Sequence, residues 1–190
     1  MTRATTKGHA MPRLRFATAQ DLYEAYPTAR SDIGVAANAA PSLDFLAALS
    51  SADALKAALS FCAYLLPRRE AVAWGCQCLR QWSGLNAADE ARLAASEAWV
   101  REPEERNRRR ALDLAERSDI KDASTWIAFA AGRAGGQIAI DGDHFTPMPQ
   151  YATAQAVRIA LILAGAAGSF EARAEIQRRW LELGLRIAVE

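Results

Sequence analysis

Apolar residues recur at helical spacing along most of this chain, and this pattern constrains its fold more than any other feature. The clearest stripe, at i, i+4, i+7 and i+11 near the C-terminus, consists of Ile176, Trp180, Leu183 and Ile187. Charged residues occupy the other side of the same segment, where Glu175 is spaced to pair with Arg179. One apolar side and one charged side predict a surface helix that docks by a single face.

The amino-acid composition and the helix-capping residues extend this prediction to the whole chain. Alanine is the most frequent residue, and alternating runs of Val, Ile, Thr and Tyr are nearly absent, which favours helix over strand. Thr18 with Asp21, and Asn86 with Asp89, have the spacing of helix-capping pairs. We therefore predict an all-α fold, a single-domain bundle of about seven helices.

Two segments fall outside the helical pattern. Residues 1–17 are basic but lack the apolar run of a signal peptide, so we expect a mobile N-terminal tail there and a single helical domain over residues 18–190. Residues 28–40 are predicted to be loop. One long irregular loop is expected at about residues 137–150, and ordered loops of this length are often functional.

Charge and cysteine content exclude several classes of partner. With 23 basic and 22 acidic residues, the formal net charge is +1, so neither nucleic acid nor an anionic membrane is favoured as a partner. The longest apolar run, residues 159–168, is about half of a membrane span. Three cysteines in apolar surroundings indicate a reducing compartment, and we predict a cytoplasmic protein.

The cysteines and histidines do not form a metal-binding pattern. Cys76 and Cys78 are two residues apart, so on a helix their side chains point about 200° apart and cannot hold one ion. The chain has two histidines, His9 and His144. We therefore predict no metal and no cofactor, and interpret the cysteines as buried, packed thiols.

The predicted loop holds the best candidates for a functional site. Asp141, Asp143 and His144 cluster around a glycine and are followed by the apolar Phe145. Asp-Gly-Asp is also ordinary turn chemistry, and the spacing lacks the later carboxylates of a calcium loop. We interpret these four residues as a protein-binding surface.

The stretch from Leu65 to Trp82 adds two further candidates. Pro67 is suited to begin a helix, which places Arg68, Arg69 and Glu70 in its first turn. Glu70 interacts well with the positive end of a helix, whereas the two arginines do not. We therefore expect carboxylates or carbonyl groups from elsewhere to satisfy both arginines, and we include them in the protein-binding set.

Several of these motifs together resemble a known family over about residues 60–190. The motifs are Leu66–Ala71 followed by Trp74, the run Arg108–Ala111 with Glu116, Trp126, Gly135–Gly136, and Pro147 and Pro149 before Ala154–Val157. The family is an uncharacterised domain of unknown function in proteobacteria, and some of its members lie near type VI secretion genes. The acidic segment 140–145 departs from the proline-rich loop of the relatives. The resemblance implies a helical accessory or adaptor role.

The polar residues do not assemble into a nucleophile, a base and an orienting group, so we assign no catalytic residue. We predict a non-enzymatic adaptor that binds another protein, in a bacterial secretion-associated system. Two alternatives remain open at the level of sequence. One is a small enzyme with acid and base residues in the segment 138–150, and the other is an immunity-like inhibitor protein.

Overall fold

A computed structural model of the chain describes residues 14–82, 84–141, 144–166 and 169–189. Helices account for most of these residues, which confirms the all-α class. Ten helices lie within the described ranges, so the expected number of about seven was too low. They are α1 (Ala19–Ala25), α2 (Pro27–Ile33), α3 (Ser42–Ser51), α4 (Leu55–Leu65), α5 (Arg68–Leu79), α6 (Ala87–Arg101), α7 (Glu105–Glu116), α8 (Ala123–Gly132), α9 (Ala152–Ala164) and α10 (Phe170–Val189).

One helix that the sequence did not predict is α2, which lies in the segment expected to be loop. Pro27 begins α2 directly after Tyr26, the residue that ends α1. Proline suits the first position of a helix because that position needs no amide partner. Gly34 ends α2 in the left-handed conformation, with a φ of 74°. Proline therefore starts a new helix here instead of introducing a loop.

The capping pairs form as predicted. Thr18 and Asp21 make reciprocal side-chain to backbone hydrogen bonds at the start of α1, and Asn86 and Asp89 do the same for α6. Pro67 precedes the first helical residue of α5 instead of occupying it. The local spacing rules thus locate the starts of α1, α5 and α6 to within a residue.

The segment predicted as one long irregular loop is a β-hairpin, and that prediction was wrong. Strand β1 (Gln137–Asp141) pairs antiparallel with β2 (His144–Pro147). Asp141, the last residue of β1, is followed in the sequence by glycine, and an Asp-Gly pair flanked by hydrophobic residues is a strong short-range hairpin signal. Ile138 and Ile140 on one side and Phe145 on the other supply those residues.

The core lies between the long helices of the body. α8 packs against α7 and α9, and α4 packs against α9 and α10. Trp74 and Trp180 are fully buried, and the indole nitrogen of Trp74 donates a 2.7 Å hydrogen bond to the carbonyl oxygen of Trp180. Gly184 leaves room for this indole, since a Cβ atom there would lie 3.1 Å from the indole nitrogen of Trp74.

Helix α10 carries the predicted apolar stripe toward the core. Trp180 is buried, and the other three stripe residues are partly buried. Arg179 pairs with Glu175 as expected, whereas Arg178 binds Asp53 at 2.7 Å, on the turn before α4. Across the described ranges, no helix combines the length and the apolar character needed to cross a bilayer.

The described end of the predicted tail contacts the helical body. Residues 1–13 lie outside the described residues, but Leu14 and Phe16 pack partly buried against the core. The hydroxyl of Ser42 donates a 2.9 Å hydrogen bond to the carbonyl oxygen of Phe16. Residues 14–17 are therefore attached to the start of α3.

Candidate functional site

The hairpin presents large apolar side chains to solvent. Ile138 is 40% exposed, and Phe145 is 59% exposed. The register pairs Ile138 with Thr146, so Phe145, the neighbour of Thr146 on β2, points to the opposite face of the ribbon. Among the described side chains, Ile138 is therefore exposed on one face of the two-stranded ribbon and Phe145 on the other.

Most of the polar residues predicted for this site also fall on the hairpin. Asp141 ends β1 and pairs in register with His144, the first residue of β2, which is exposed. Asp143 lies outside the described residues. The structure therefore places Asp141, His144 and Phe145 at one end of the hairpin, with Phe145 as its largest exposed side chain.

The edges of the hairpin are open within the part of the chain that the structure describes. The sheet has two strands, so each strand has one edge that no other strand covers. β2 contains Pro147, which has no amide hydrogen to donate. β1 contains no proline, and its outer edge is therefore the better template for a further strand.

Two buried or half-buried arginines fix the base of the hairpin. Arg108, on α7, donates to the carbonyl oxygen of Gly132 at the end of α8 and binds both carboxylate oxygens of Glu105 at 2.7 Å. Arg68 donates a 2.7 Å hydrogen bond to the carbonyl oxygen of Ala134. Hydrogen bonds from Arg108 and Arg109 lower the pKa of Glu105 to about 2. The chain entering β1 is thus held by charge-assisted bonds.

Arg69, the neighbour of Arg68, binds the end of a different helix. Its guanidinium donates to the carbonyl oxygens of Val100, at 2.6 Å, and Arg101, at 3.2 Å. These carbonyls belong to the last turn of α6, which favours a positive charge. Carboxylates or carbonyl groups were expected to satisfy both arginines, and carbonyl groups do so. Their contribution to partner binding stays a prediction.

The three cysteines are buried thiols. Cys76 and Cys78 lie in α5 and Cys62 lies in α4, and none of them is exposed. Burial raises the pKa of all three thiols well above the ordinary value, which keeps them protonated and unreactive. Within the described residues, no three His, Cys, Asp or Glu side chains cluster as a metal site requires.

The sequence does not predict a half-buried polar cluster between α2, α4 and α9. The hydroxyl of Tyr64 donates a 2.5 Å hydrogen bond to Asp32, which also accepts from Gln155 and faces Arg158 at 3.5 Å. Burial, and then the hydrogen bond to Asp32, raise the pKa of Tyr64. The spacing of Gln155 and Arg158 on one helix face was the only signal, because the other members are distant in sequence.

A cleft of about 410 Å³ lies where the chain returns from the hairpin to α9. Phe16, Tyr26 and Tyr151 supply aromatic surface, with Phe16 and Tyr151 each edge-on to Tyr26. The guanidinium carbon of Arg15 lies 5.3 Å from the ring centre of Tyr26, and its Nη2 donates to Gln150 at 3.2 Å. The cleft thus combines aromatic walls with a positive charge.

Comparison with known proteins places the chain in a group that has no assigned activity. A family described as a family of unknown function, DUF6931, matches residues 45–188. No curated protein and no solved structure matches the chain. The matched range includes the hairpin, Arg68 and Arg108, whereas α1 and α2 precede it.

Proposed function

The chain belongs to DUF6931, a family of unknown function, and from that premise we propose that it is a non-enzymatic adaptor that binds another protein through its hairpin. The observation that carries the proposal is the exposure of Phe145, at 59%, on a ribbon whose edges are open in the described residues. A large exposed aromatic side chain is typical of a binding anchor.

The hairpin should be more stable when a partner protein covers it. A two-stranded ribbon is at best marginally stable by itself in water, and β1 and β2 contact each other far more than they contact the described helices. Fully burying an aromatic side chain contributes about 1.5–3 kcal/mol. A partner that covers Phe145 therefore gains free energy and stabilises the ribbon at the same time.

The open edge of β1 defines the chemistry of the partner. Main-chain amide and carbonyl groups along such an edge can pair with an extended segment, which then extends the sheet to three strands. Phe145 and Ile138 would meet side chains of that segment on opposite faces. We assign the partner as a protein that contributes an extended strand with an apolar residue able to reach Phe145.

The base of the hairpin supports this role because it is already fixed. Arg68 and Arg108 hold the carbonyl groups of Ala134 and Gly132, so the chain enters β1 in a defined direction. Preorganisation reduces the conformational entropy that is lost when the partner binds. The arginines therefore act on binding through the hairpin and not by direct contact.

Capture of interacting proteins with matched variants tests the proposal. We compare the parent with Phe145→Ser and with Leu163→Ser, which removes a side chain that is 43% exposed on α9. The proposal predicts a protein retained by the parent and by Leu163→Ser but reduced about tenfold or more with Phe145→Ser. Thermal unfolding is measured for all three proteins to exclude a loss of fold. Equal retention by both variants contradicts the proposal.

The same variants distinguish a foreign partner from a second copy of the chain. If the hairpin pairs with its own copy, the parent sediments as a dimer and Phe145→Ser sediments as a monomer. That result would overturn the assignment of another protein as the partner. A monomeric parent that still captures a protein through Phe145 supports it.

The proposal also includes the cellular location of the adaptor and the system in which it acts. We assign it to the bacterial cytoplasm and to a secretion-associated system. The resemblance of residues 60–190 to proteobacterial proteins, some encoded near type VI secretion genes, supports this assignment. Identification of the captured protein as a component of a secretion apparatus tests it, and capture of an unrelated protein contradicts it.

A further inference from the structure

The hydrogen bonds of the hairpin determine which of its main-chain groups face outward. The amide of Met148 donates a 2.9 Å hydrogen bond to the carbonyl oxygen of Gly136. In the register of the two strands these residues lie directly opposite each other, one step beyond the pair of Gln137 and Pro147. They therefore form a hydrogen-bonded pair, and such pairs alternate with non-hydrogen-bonded pairs along an antiparallel ladder.

This alternation assigns the neighbouring residues of each strand. Ile138 and Thr146 form the next hydrogen-bonded pair, so their amide and carbonyl groups point into the hairpin. The amide and carbonyl groups of Gln137 and Ala139 point away from β2, toward the outer edge of β1. This edge thus presents alternating N–H donors and carbonyl acceptors that the hairpin itself does not use.

The outer edge of β2 is interrupted by proline. Phe145 and Pro147 belong to non-hydrogen-bonded pairs, so their main-chain nitrogens also point outward. Pro147 has no hydrogen on its nitrogen, and at this position it removes a donor from the edge without removing a bond from the hairpin. Proline on an edge strand discourages pairing with a further strand. β1 contains no proline, so the hairpin is open to a third strand on one side only.

The side chains beside the β1 edge define what the added strand carries. Ile138 is 40% exposed and lies on the same face as Thr146, the residue opposite it. A residue of the added strand opposite Ile138 would lie about 4.5–5.5 Å away and cover this surface, and β-branched or aromatic residues form the most favourable pairs of this kind. The next residue of that strand points to the other face, where Phe145 lies.

We propose that the partner protein adds a strand to the outer edge of β1, hydrogen-bonded to the main chain of Gln137 and Ala139, with an apolar residue opposite Ile138. This inference rests on the proposed function and refines it, because it names the edge, the main-chain groups and the partner residue that Ile138 selects. The partner segment is extended, with two consecutive apolar residues that point to opposite faces. Ile138 selects one of them, and Phe145 anchors the other.

Amide hydrogen exchange of the full chain tests the assignment of the main-chain groups. The amides of Ile138 and Thr146 should exchange at least about tenfold more slowly than those of Gln137 and Ala139, because the ladder protects only the first two. The amide of Phe145 should also exchange rapidly. Slow exchange at Ala139 in the free protein would show that its N–H group is already paired, and would overturn the proposal.

A synthetic strand serves as the probe of the edge. The probe is the acetylated peptide amide Lys-Thr-Val-Tyr-Thr, and the control is the same peptide with every amide nitrogen methylated, which cannot donate from either edge. We expect the probe to slow exchange at Gln137 and Ala139 and not at Phe145, and the control to change none of them. Exchange that slows at Phe145 alone, or at none of these positions, overturns the proposal.

A second peptide tests the selection by Ile138. Serine replaces the valine of the probe, which leaves the main chain of the peptide unchanged. We expect this peptide to bind the parent several-fold more weakly than the valine peptide, and the difference to disappear in Ile138→Thr, which keeps a β-branched residue in β1. Equal binding of the two peptides to the parent would contradict the role of Ile138.

Amide-to-ester replacement separates this inference from the proposed function. Lactic acid at position 139 and phenyllactic acid at position 145 each replace one outward N–H group with oxygen and keep the side chain. Capture of the partner should fall about fivefold or more with the ester at 139, and stay at the parental level with the ester at 145. Full capture by the ester at 139, together with loss in Phe145→Ser, overturns the β1 edge and leaves the proposed function intact. Loss with the ester at 139, together with full capture by Phe145→Ser, supports the edge and contradicts Phe145 as the anchor.

Discussion

Arg108 lies against Gly136, and a Cβ atom at this glycine would be 2.9 Å from Nη2 of the guanidinium. The same side chain donates to the carbonyl oxygen of Gly132 and binds Glu105. One arginine thus joins α7, the end of α8 and the entry to β1. The glycine pair at 135 and 136 has a structural explanation at its second member, where φ is 85°.

Gly136→Ala should destabilise the protein more than Gly34→Ala. Both glycines have left-handed backbone, with φ of 85° and 74°, but a Cβ atom at Gly34 meets nothing within 4 Å. The backbone conformation costs about 1–2 kcal/mol in either variant, and displacement of Arg108 adds to the cost at Gly136. Urea unfolding of both variants measures the difference. Equal losses would show that the contact with Arg108 contributes nothing.

Removal of the buried Arg92 should cost far more than removal of an exposed arginine. Arg92 is 7% exposed and pairs with Asp89 at 2.9 Å and with Asp122 at 3.0 Å. Arg92→Met leaves both carboxylates without this partner and should cost about 3–5 kcal/mol. Arg106→Met, at a 75% exposed side chain, should cost less than about 1 kcal/mol. Chemical denaturation of the two variants checks this, and similar losses would contradict it.

The stability of the protein should fall at acid pH partly through Asp89. Partial burial raises the pKa of Asp89, but hydrogen bonds from Asn86, Ser124 and Arg92 lower it by more. The pKa of Asp89 is therefore below the ordinary value for an aspartate. A lowered folded-state pKa stabilises the protein above the unfolded pKa of about 3.9, and this contribution is lost as the pH falls through the folded value.

Asp89→Asn isolates this contribution because asparagine does not titrate. Between pH 7 and pH 3, values that bracket the unfolded pKa of about 3.9, the free energy of unfolding should fall more steeply for the parent than for Asp89→Asn. Urea unfolding at several pH values gives the slope of the free energy of unfolding against pH for each of the two proteins. Parallel slopes would mean that Asp89 does not couple protonation to folding.

The cysteines should react with thiol reagents only after the protein unfolds. Cys62, Cys76 and Cys78 are buried, and burial raises the pKa of each thiol. Since the thiolate is the reactive form, labelling should be slow in buffer and complete in denaturant. Mass spectrometry after iodoacetamide treatment measures it. Rapid modification of the folded protein would show that α4 and α5 open locally.

The features that the sequence predicts well are local ones. The caps at Thr18 and Asn86 depend on residues three positions away, and the stripe on α10 depends on one helical period, so both can be recognised along the chain. The sequence does not clearly predict the hairpin, because its strands are short and Asp-Gly-Asp is also an ordinary turn sequence. The hairpin signal needed the flanking residues as well as the turn.

The partners of charged residues that lie far apart in sequence could not be predicted, because tertiary packing determines these pairs. Arg178 has Glu182 at helical spacing but binds Asp53, and Arg68 binds the carbonyl group of Ala134. The aromatic cleft likewise joins Arg15 and Tyr26 to Tyr151, which lies more than 100 residues later in the sequence. Spacing rules apply within one helix and carry no information about such contacts.

Photo-crosslinking at position 145 tests the central claim most directly. A benzophenone amino acid replaces Phe145 in one protein and Leu163 in the other, so the two differ only in which exposed apolar position carries the label. We predict that the label at position 145 forms a covalent adduct with one partner protein in the native host, and that the label at position 163 does not. An adduct at position 163 alone, or none at position 145, would contradict the assignment of the hairpin as the binding element.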